Sequence, residues 1–323
     1  MWTKLLCALI AAQVGTAALA QEKSANYPTR PIRVLDGFAA GGGSDFVARV
    51  MGQKLTESLG QAIIVDNRPG AGANLAAEIV ARATPDGHTL MLAGSSLATA
   101  PAMYPKLGYD LLKDFEFVTL VAAGAFVMVA NPSFPATTVE AILAAAKVKP
   151  GSVSYGSSGI AGGGHLAMEL LQSRSNTRFL HVPYKGAGPA VAALLAGEVP
   201  LVVGTTASAM PMIRAKRVNA IAVTSGKRVE ALPDVPTVAE AGFSGYSVTV
   251  DYCLLAPAGT PASVVKLLNA EIRRISTMPD FKAKLAVQGF EPAASTPQEL
   301  SAMMKAQVEL WSRVIREAGI KAD

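Results

Sequence analysis

One run constrains the fold of this 323-residue chain more than any other: Ile32-Arg33-Val34-Leu35-Asp36-Gly37-Phe38-Ala39-Ala40-Gly41-Gly42-Gly43-Ser44-Asp45. A short apolar strand runs into a glycine-rich loop. A helical pattern follows, with apolar positions at Phe46, Val47, Val50, Met51, Leu55 and Leu59. Strand, glycine loop and helix start together form a device for holding an anion, because free backbone N–H groups and the positive end of the helix dipole point at one spot. Glycines let the backbone come close to the ligand and take positive φ. The anion is not a nucleotide phosphate: no Gly-Lys-Ser/Thr follows the loop, and the glycines are not spaced G-x-G-x-x-G. The same run also reads as a tight strand-to-helix turn capped by Ser44 or Asp45, and both readings stay open at this point.

A second loop repeats the pattern. Tyr155-Gly156-Ser157-Ser158-Gly159 leads through Ile160-Ala161-Gly162-Gly163-Gly164 into a helix that begins with His165. Two such loops in separate lobes suggest a ligand with two anionic ends, each lobe holding one, so that closure and binding become one event. The plain alternative is two ordinary turns whose serines cap helices.

The rest of the chain sets the frame. Residues Met1 to Ala20 read as a secretory signal: Lys4 is the positive start, Leu5 to Val14 is mostly apolar, and Ala18-Leu19-Ala20 is a cleavage site. The apolar run is too short to span a bilayer, and Cys7 lies inside it, which argues against a lipoprotein. Cleavage near Ala20 leaves 303 of the 323 residues and an exported, periplasmic location. Losing Lys4 leaves 28 Lys and Arg against 24 Asp and Glu, a charge of +4. Such a mild, scattered excess is no nucleic-acid footprint, though it favours acidic ligands by weak steering. After the leader only Cys253 remains, so there is no intramolecular disulfide and no cysteine-based metal site. His88, His165 and His181 are dispersed without metal-ligand spacing. No metal or cofactor is implied.

Strand-like and helix-like segments alternate, which argues for an α/β fold. Strands are expected at Ile63-Ile64-Val65, at Thr89 to Ala93 ending in Gly94-Ser95-Ser96, at Val153 to Tyr155, Leu201 to Val203 and Ala220 to Val223. Helices are expected over Leu75 to Ala83, Thr137 to Lys147 with Thr137 or Thr138 as cap, His165 to Gln172 and Pro189 to Ala196. Phe115 to Ala130 and Val248 to Leu255 read as two extended crossovers. The tail is helical over Ala262 to Ser276, Pro279 to Val287 and Pro297 to Ala318. Two crossovers imply two domains: residues 27–122 with 256–323, and residues 123–255. Ligands bind in the cleft between such lobes.

Eight short runs in order now carry a resemblance over nearly the whole mature chain. They are Tyr27-Pro28-x-Arg30-Pro31-Ile32, Phe38 to Asp45, Val65-Asp66-Asn67-Arg68-Pro69-Gly70-Ala71-Gly72 and Pro85-Asp86-Gly87, then Tyr155 to Gly159, His181-Val182-Pro183-Tyr184-Lys185-Gly186, Leu232-Pro233-Asp234-Val235-Pro236-Thr237 and Ala256-Pro257-Ala258-Gly259-Thr260-Pro261. Together they resemble the substrate-binding proteins of tripartite tricarboxylate transporters, the Bug family. The resemblance implies a periplasmic-binding-protein-like, Venus-flytrap receptor without catalysis. It would close as a monomer on a small organic carboxylate and deliver it to a two-component membrane permease. It makes Phe38 to Asp45 the carboxylate cradle, working through N–H groups and bridging water, and brings Ser95, Ser96, Ser157 and Ser158 to the same cleft. The chain departs from the family pattern at Pro200, His88, Asp251 and Cys253, where Asp, Tyr, Trp and Gly are usual.

The expected ligand-binding set is thus Phe38, Ala39, Ala40, Gly41, Gly42, Gly43, Asp45, Ser95, Ser96, Ser157, Ser158, His165 and Tyr184. Asp45 reads as a first-turn carboxylate that also ties the loop by accepting N–H bonds. His165 either touches the ligand or packs, and His181 reads as structural. Lys185 either steers anions or is an ordinary surface lysine, Asp251 either meets the ligand or is a solvated hinge residue, and Trp311 reads as packing. Gly42 is taken as the point of closest backbone approach. Two rival readings are a receptor that presents its ligand to a membrane sensor kinase and a secreted hydrolase using Ser157 or Ser158. The second lacks the G-x-S-x-G context and any nominated base and acid. The ligand itself is left open among di- and tricarboxylates, amino acids and aromatic acids.

Overall fold

The computed structural model describes residues 27–320; the expected leader and its cleavage site lie outside them. β1 (Ile32–Asp36) turns Ile32 and Val34 to one face and Leu35 to the other, as a strand covered on both sides must. α1 (Gly43–Leu59) covers the first face with Val47, Met51 and Leu55, spaced by four. It stops at Gly60, whose φ of 69° ends the helix in the left-handed region. Truncating the fully buried Leu55 to Ala would cost roughly 2–5 kcal/mol. β2 (Ile63–Asn67) and β3 (Thr89–Gly94) flank β1 in parallel. α2 (Asn74–Ala81) covers the opposite face, with Ala76, Ala77 and Val80 against Leu35.

After a short helical turn, Ser95–Thr99, and the short helix α3 (Ala100–Met103), the chain enters β4 (Phe115–Ala130), a strand of 16 residues. The second unit follows as α4 (Val139–Val148), β5 (Ser154–Ser157), α5 (Gly163–Ser175), β6 (Leu180–Pro183), α6 (Ala187–Ala196), β7 (Leu201–Thr205), α7 (Thr206–Arg214) and β8 (Asn219–Val223). β9 (Thr249–Pro257) leads back, and α8 (Ala262–Ser276), α9 (Pro279–Val287), β10 (Phe290–Pro292) and α10 (Pro297–Ala318) complete the described chain.

All strands join one ten-stranded sheet in the order β2-β1-β3-β9-β4-β7-β5-β6, with β8 and β10 also paired to β4. β4 belongs to both ends of this sheet. Its Phe115 to Ala125 part runs antiparallel to β9, and its Phe126 to Ala130 part runs antiparallel to β7. The return connection is stitched to it at one buried residue. Thr224 Oγ1 donates to the Val248 carbonyl at 2.6 Å and accepts the Phe126 N–H at 3.1 Å, while Val248 N–H donates to the Thr224 carbonyl at 2.8 Å. Thr224 therefore extends the pairing of the two connecting strands one step beyond Ala125.

The expected α/β architecture with two long connecting strands and a helical tail is the one found. Thr138, not Thr137, caps α4 by accepting Ala141 N–H at 3.2 Å. A full capping box, Thr296 with Glu299, starts α10. α7 escaped the sequence pattern because Pro211 interrupts it and threonine and serine crowd its start. β10 has three residues, too few to show a period. Trp311, on α10, packs partly buried against both cores, in line with its expected packing role.

Candidate functional site

Four helices among the described residues begin at one place. The starts of α1 (Gly43, Ser44), α5 (Gly163) and α6 (Ala187), together with Thr205 just before α7, line a single small cavity. Phe38, Gly42 and Ser158 from the two glycine-rich loops join them, with Gly94 at the end of β3, Phe126 of β4, and Val250 and Tyr252 of β9. The cavity is small, about 30 Å³, and partly open to the surface. None of the four N-caps, Gly42, Gly162, Gly186 and Thr205, uses a side chain to satisfy its helix. First-turn N–H groups have no acceptor inside a helix, and each N-terminus carries roughly half a positive charge. No Lys or Arg lines the cavity. Its positive potential is therefore main-chain potential, suited to a carboxylate.

The two loops are built alike, atom for atom at four points. At the strand ends, Phe38 N–H donates to Asp36 Oδ1 (3.1 Å), and Gly159 N–H donates to Ser157 Oγ (3.2 Å). Each strand-end side chain is tied to the neighbouring strand, Asp36 by Asn67 Nδ2 (3.2 Å) and Ser157 by His181 Nε2 (2.7 Å). At the third residue of each helix a side chain reaches back to the loop. Gly41 N–H donates to Asp45 Oδ2 (3.1 Å), and Ala161 N–H donates to His165 Nδ1 (2.9 Å). One turn on, Arg49 pairs with Asp45 at 2.8 Å and Glu169 with His165 at 3.4 Å. These ties take loop N–H groups and leave the helix-start N–H groups of Gly43 and Ser44 to the cavity.

The expected binding set divides accordingly. Phe38, Gly42, Gly43 and Ser158 line the cavity, and Gly94 does so just ahead of Ser95 and Ser96, which open the next turn. Ala39 does not offer its N–H, which donates across to the Lys185 carbonyl at 3.2 Å. Ala40 and Gly41 back this contact, since a Cβ on Gly188 would meet the Ala40 carbonyl at 3.3 Å and the Gly41 carbonyl at 3.5 Å. Asp45, as expected, ties the loop. Burial works to raise its pKa, but the bonds from Arg49 and Gly41 N–H outweigh this and hold it below the usual carboxylate value. Ser157 is completely buried behind the loop and His165 nearly so, its two ring nitrogens turned to Ala161 and Glu169. Both support the loop; neither lines the cavity. Tyr184 and Lys185 line a wider neighbouring cavity of about 300 Å³, which shares Phe38 and Ser158 with the first.

The glycine assignment also shifts by one. Gly41, at φ 85°, needs glycine for its conformation. A Cβ on Gly42 would meet only the Ala39 carbonyl, at 3.6 Å, whereas one on Gly43 would fall 2.7 Å from Thr205 Oγ1, 2.8 Å from Phe290 Cζ and 2.9 Å from the Tyr252 hydroxyl. Close approach belongs to Gly43. Thr205, Ala187, Phe126, Val250 and Tyr252 were missed. For Ala187 a signal existed: Tyr184-Lys185-Gly186 before a helix is a third strand–glycine–helix junction. The others reach the site through sheet register alone.

The buried groups are arranged for binding rather than hydrolysis. His181 stacks on His165 with ring centres 3.9 Å apart, and its pKa is pushed down to about 3 by burial and then by His165. So weak a base does not activate a hydroxyl at neutral pH, and its Ser157 partner has no exposed surface. The departures from the family pattern stand away from the cavity wall. His88 stacks edge-on against Tyr27, the Pro200 carbonyl accepts Asn131 N–H, and Cys253 is buried with its thiol pushed up to about 12. Asp251, between Val250 and Tyr252, is half-buried and not a solvated hinge residue; burial raises its carboxyl.

Residues 47–320 match the model of the tripartite tricarboxylate transporter family receptor. The chain belongs to that family. It is 34% identical over 322 residues to BugT of Bordetella pertussis, covering 99% of this chain and 98% of that protein. Among solved structures it resembles a periplasmic transporter (41% identity, TM-score 0.88) over 92% of this chain and 100% of the other. An R. palustris protein with adipate (32%, TM-score 0.88) aligns over 92% and 100%. MatC of Rhodopseudomonas palustris with bound malate (31%, TM-score 0.84) aligns over 90% and 100%. This member of the family is thus a periplasmic solute-binding receptor with the periplasmic-binding-protein fold.

Proposed function

We propose that this receptor closes two lobes, residues 27–122 with 256–323 and residues 123–255, on a small organic carboxylate and delivers it to a tripartite tricarboxylate-type permease. The observation that carries this reading is the convergence of four uncapped helix N-termini, drawn from both ends of the sheet, on one cavity without a lysine or arginine. A carboxylate there accepts N–H groups from Gly43 and Ser44 on one side and from the starts of α5 and α6 on the other. Ser158 adds a hydroxyl. The relatives solved with adipate and malate are diacids, and they support a dicarboxylate here. One carboxylate occupies the convergence point, and the body extends past Phe38 and Ser158 into the 300 Å³ cavity beside Tyr184.

A central space of about 30 Å³ admits no diacid, so uptake requires the lobes to part. The contacts that join the two lobes include Ala39 N–H to the Lys185 carbonyl (3.2 Å), Thr99 Oγ1 to the Ala161 carbonyl (3.5 Å), Thr206 Oγ1 to the Gly289 carbonyl (3.3 Å) and the Arg214 guanidinium to the Val287 carbonyl (2.7 Å), with Met103 and Ile315 packed on Ala161 and Leu166. Bending falls on β4 and on the connection fastened by Thr224. A thermal-shift screen of the mature protein against C4 to C6 diacids, amino acids and aromatic acids, followed by calorimetry, tests the reading. Stabilisation by one or more carboxylates is expected. No response to any of them, with the protein folded, refutes it. Loss of uptake of the same acid in a strain lacking the gene tests delivery.

A further inference from the structure

Asp36 ends β1 directly beneath the first loop, and it is wholly buried. Its carboxyl accepts Phe38 N–H at 3.1 Å and Asn67 Nδ2 at 3.2 Å. Phe38 and Ser44 both line the cavity. Asp36 therefore ties the start of the anion-binding loop to β2 and lies beneath Ser44 at its far end.

Nothing packed against it neutralises it directly. From α1 it faces Asp45, which repels its charge, and Arg49, which attracts it from a distance. The Arg49 guanidinium is engaged with Asp45 Oδ1 (2.8 Å) and Asn67 Oδ1 (3.2 Å). From β2 come the Asn67 amide and Arg68, whose guanidinium pairs with Asp66 at 3.0 Å. From β3 comes Leu92, its register partner, and from β9 the Tyr252 phenol, which burial and Asp36 keep protonated. A buried carboxylate without a paired cation favours its neutral form. Burial raises this one to about 7.

The second loop supplies a control within the same molecule. Its strand-end position holds Ser157, which accepts the equivalent N–H two residues on, from Gly159, and is tied to His181 of β6 as Asp36 is to Asn67 of β2, without a charge of its own. A neutral acceptor suffices to build such a loop. The charge on Asp36 is thus a property added to one lobe only. A ligand carboxylate at the N–H groups of Gly43 and Ser44 places a second negative charge in the same small site, and two carboxylates in one site hold a proton between them.

We propose that Asp36 is a proton-linked positioning residue of the first loop: it takes up one proton when an organic carboxylate enters the cleft, so that binding tightens as pH falls. The inference rests on the carboxylate reading above. The sign follows from linkage. Above the pH at which Asp36 ionises, binding draws a proton from solution, and affinity weakens by up to about tenfold per pH unit. Well below it, Asp36 is already neutral and the dependence flattens.

Calorimetry with malate as the probe tests this, between about pH 6 and about pH 8.5, where the malate carboxyls stay ionised. The proteins are wild type, Asp36→Ser, which copies the other lobe, and Asp36→Asn. Wild type should lose at least about tenfold in affinity across this range and take up close to one proton at the alkaline end, read from two buffers of different ionisation enthalpy. Both variants should bind without the slope and without proton uptake. Flat wild-type affinity, or a slope that survives in both variants, overturns the inference and leaves the carboxylate reading standing. No binding of malate by any of the proteins at any pH, together with no response to the other acids of the thermal-shift screen, overturns the carboxylate reading instead, and the inference falls with it. Should the variants fail to fold, the Asp36 carboxyl-carbon resonance of isotope-labelled wild type decides: a titration moved to higher pH by malate supports the inference, and an unmoved one overturns it.

Discussion

Adding one carbon to Gly43 strikes the site at its tightest point. The Cβ of Gly43→Ala would fall 2.7 Å from Thr205 Oγ1, 2.8 Å from Phe290 Cζ and 2.9 Å from the Tyr252 hydroxyl. All three are side-chain ends, so they yield in part, and the expected strain is that of one extra methyl in a packed site, about 1–3 kcal/mol. The contacts fall on different quantities. Tyr252, paired with Gly94 of β3, and Phe290 of β10 lie at the same end of the sheet as Gly43. Their share lowers folding stability whether the cleft is open or closed. Thr205 ends β7, in the opposite lobe of the proposed division, and on that reading its share opposes closure alone. Unfolding in denaturant should show a loss of about 0.5–2 kcal/mol, and calorimetry a drop in carboxylate affinity of roughly 2- to 5-fold. Gly42→Ala, which meets only the Ala39 carbonyl at 3.6 Å, is the internal control and should leave stability within about 0.5 kcal/mol of wild type. If Gly43→Ala binds as tightly as wild type, or if Gly42→Ala loses as much stability as Gly43→Ala, the assignment of close approach to Gly43 is wrong.

Other outcomes follow from single residues. Thr224→Val removes the hydroxyl that joins the two connecting strands, leaves the Phe126 N–H and Val248 carbonyl short of a partner, and should cost about 1–3 kcal/mol; an unchanged denaturation midpoint would contradict the stitching role. His181 titrates near pH 3 in the folded chain against an ordinary value of 6.5, so the unfolded state binds the extra proton between these limits and stability falls as pH drops through them. His181→Gln should flatten that acid limb in thermal melts, and an unaltered limb would show that another group carries it. Asp36 acts with the opposite sign: raised in the folded state to about 7 from 3.8, it binds its proton more tightly when folded, and its contribution is lost as pH rises through that window. Asp36→Asn should therefore gain on wild type in melting temperature as pH rises toward 8, and no such crossover would place the charge elsewhere. Cys253, buried with its thiol pushed up to about 12, should react with a maleimide only as fast as the chain opens; rapid labelling of the folded protein would refute its burial.

Local pattern made much of this protein legible. The junction from Ile32 to Asp45 is strand, loop and helix as read, because alternation and four-residue spacing are written in neighbouring residues. The tail helices α8, α9 and α10 begin and end at the expected residues for the same reason, helped by Pro279 and Pro297 at their starts. What the sequence hid is set by distant pairing. That Ser158 and not Ser157 faces the cavity depends on how β5 sits between β6 and β7. That Ala39 N–H is engaged depends on Lys185, far along the chain. Tyr252 and Val250 reach the site because β9 runs between β3 and β4. Asp36 is the exception: a carboxylate closing an apolar strand beside a glycine loop was visible, and only its complete burial explains what it does there.

The central claim is that main-chain N–H groups from both lobes hold one carboxylate together. Amide nitrogen and proton shifts of isotope-labelled protein, followed during titration with a bound diacid, test it most directly. The account predicts that the Gly43 and Ser44 amides of one lobe and the Gly163 and Ala187 amides of the other move downfield together, with one shared affinity. Binding that shifts only one of these pairs, or that moves arginine and lysine side chains while all four amides stay still, would contradict it.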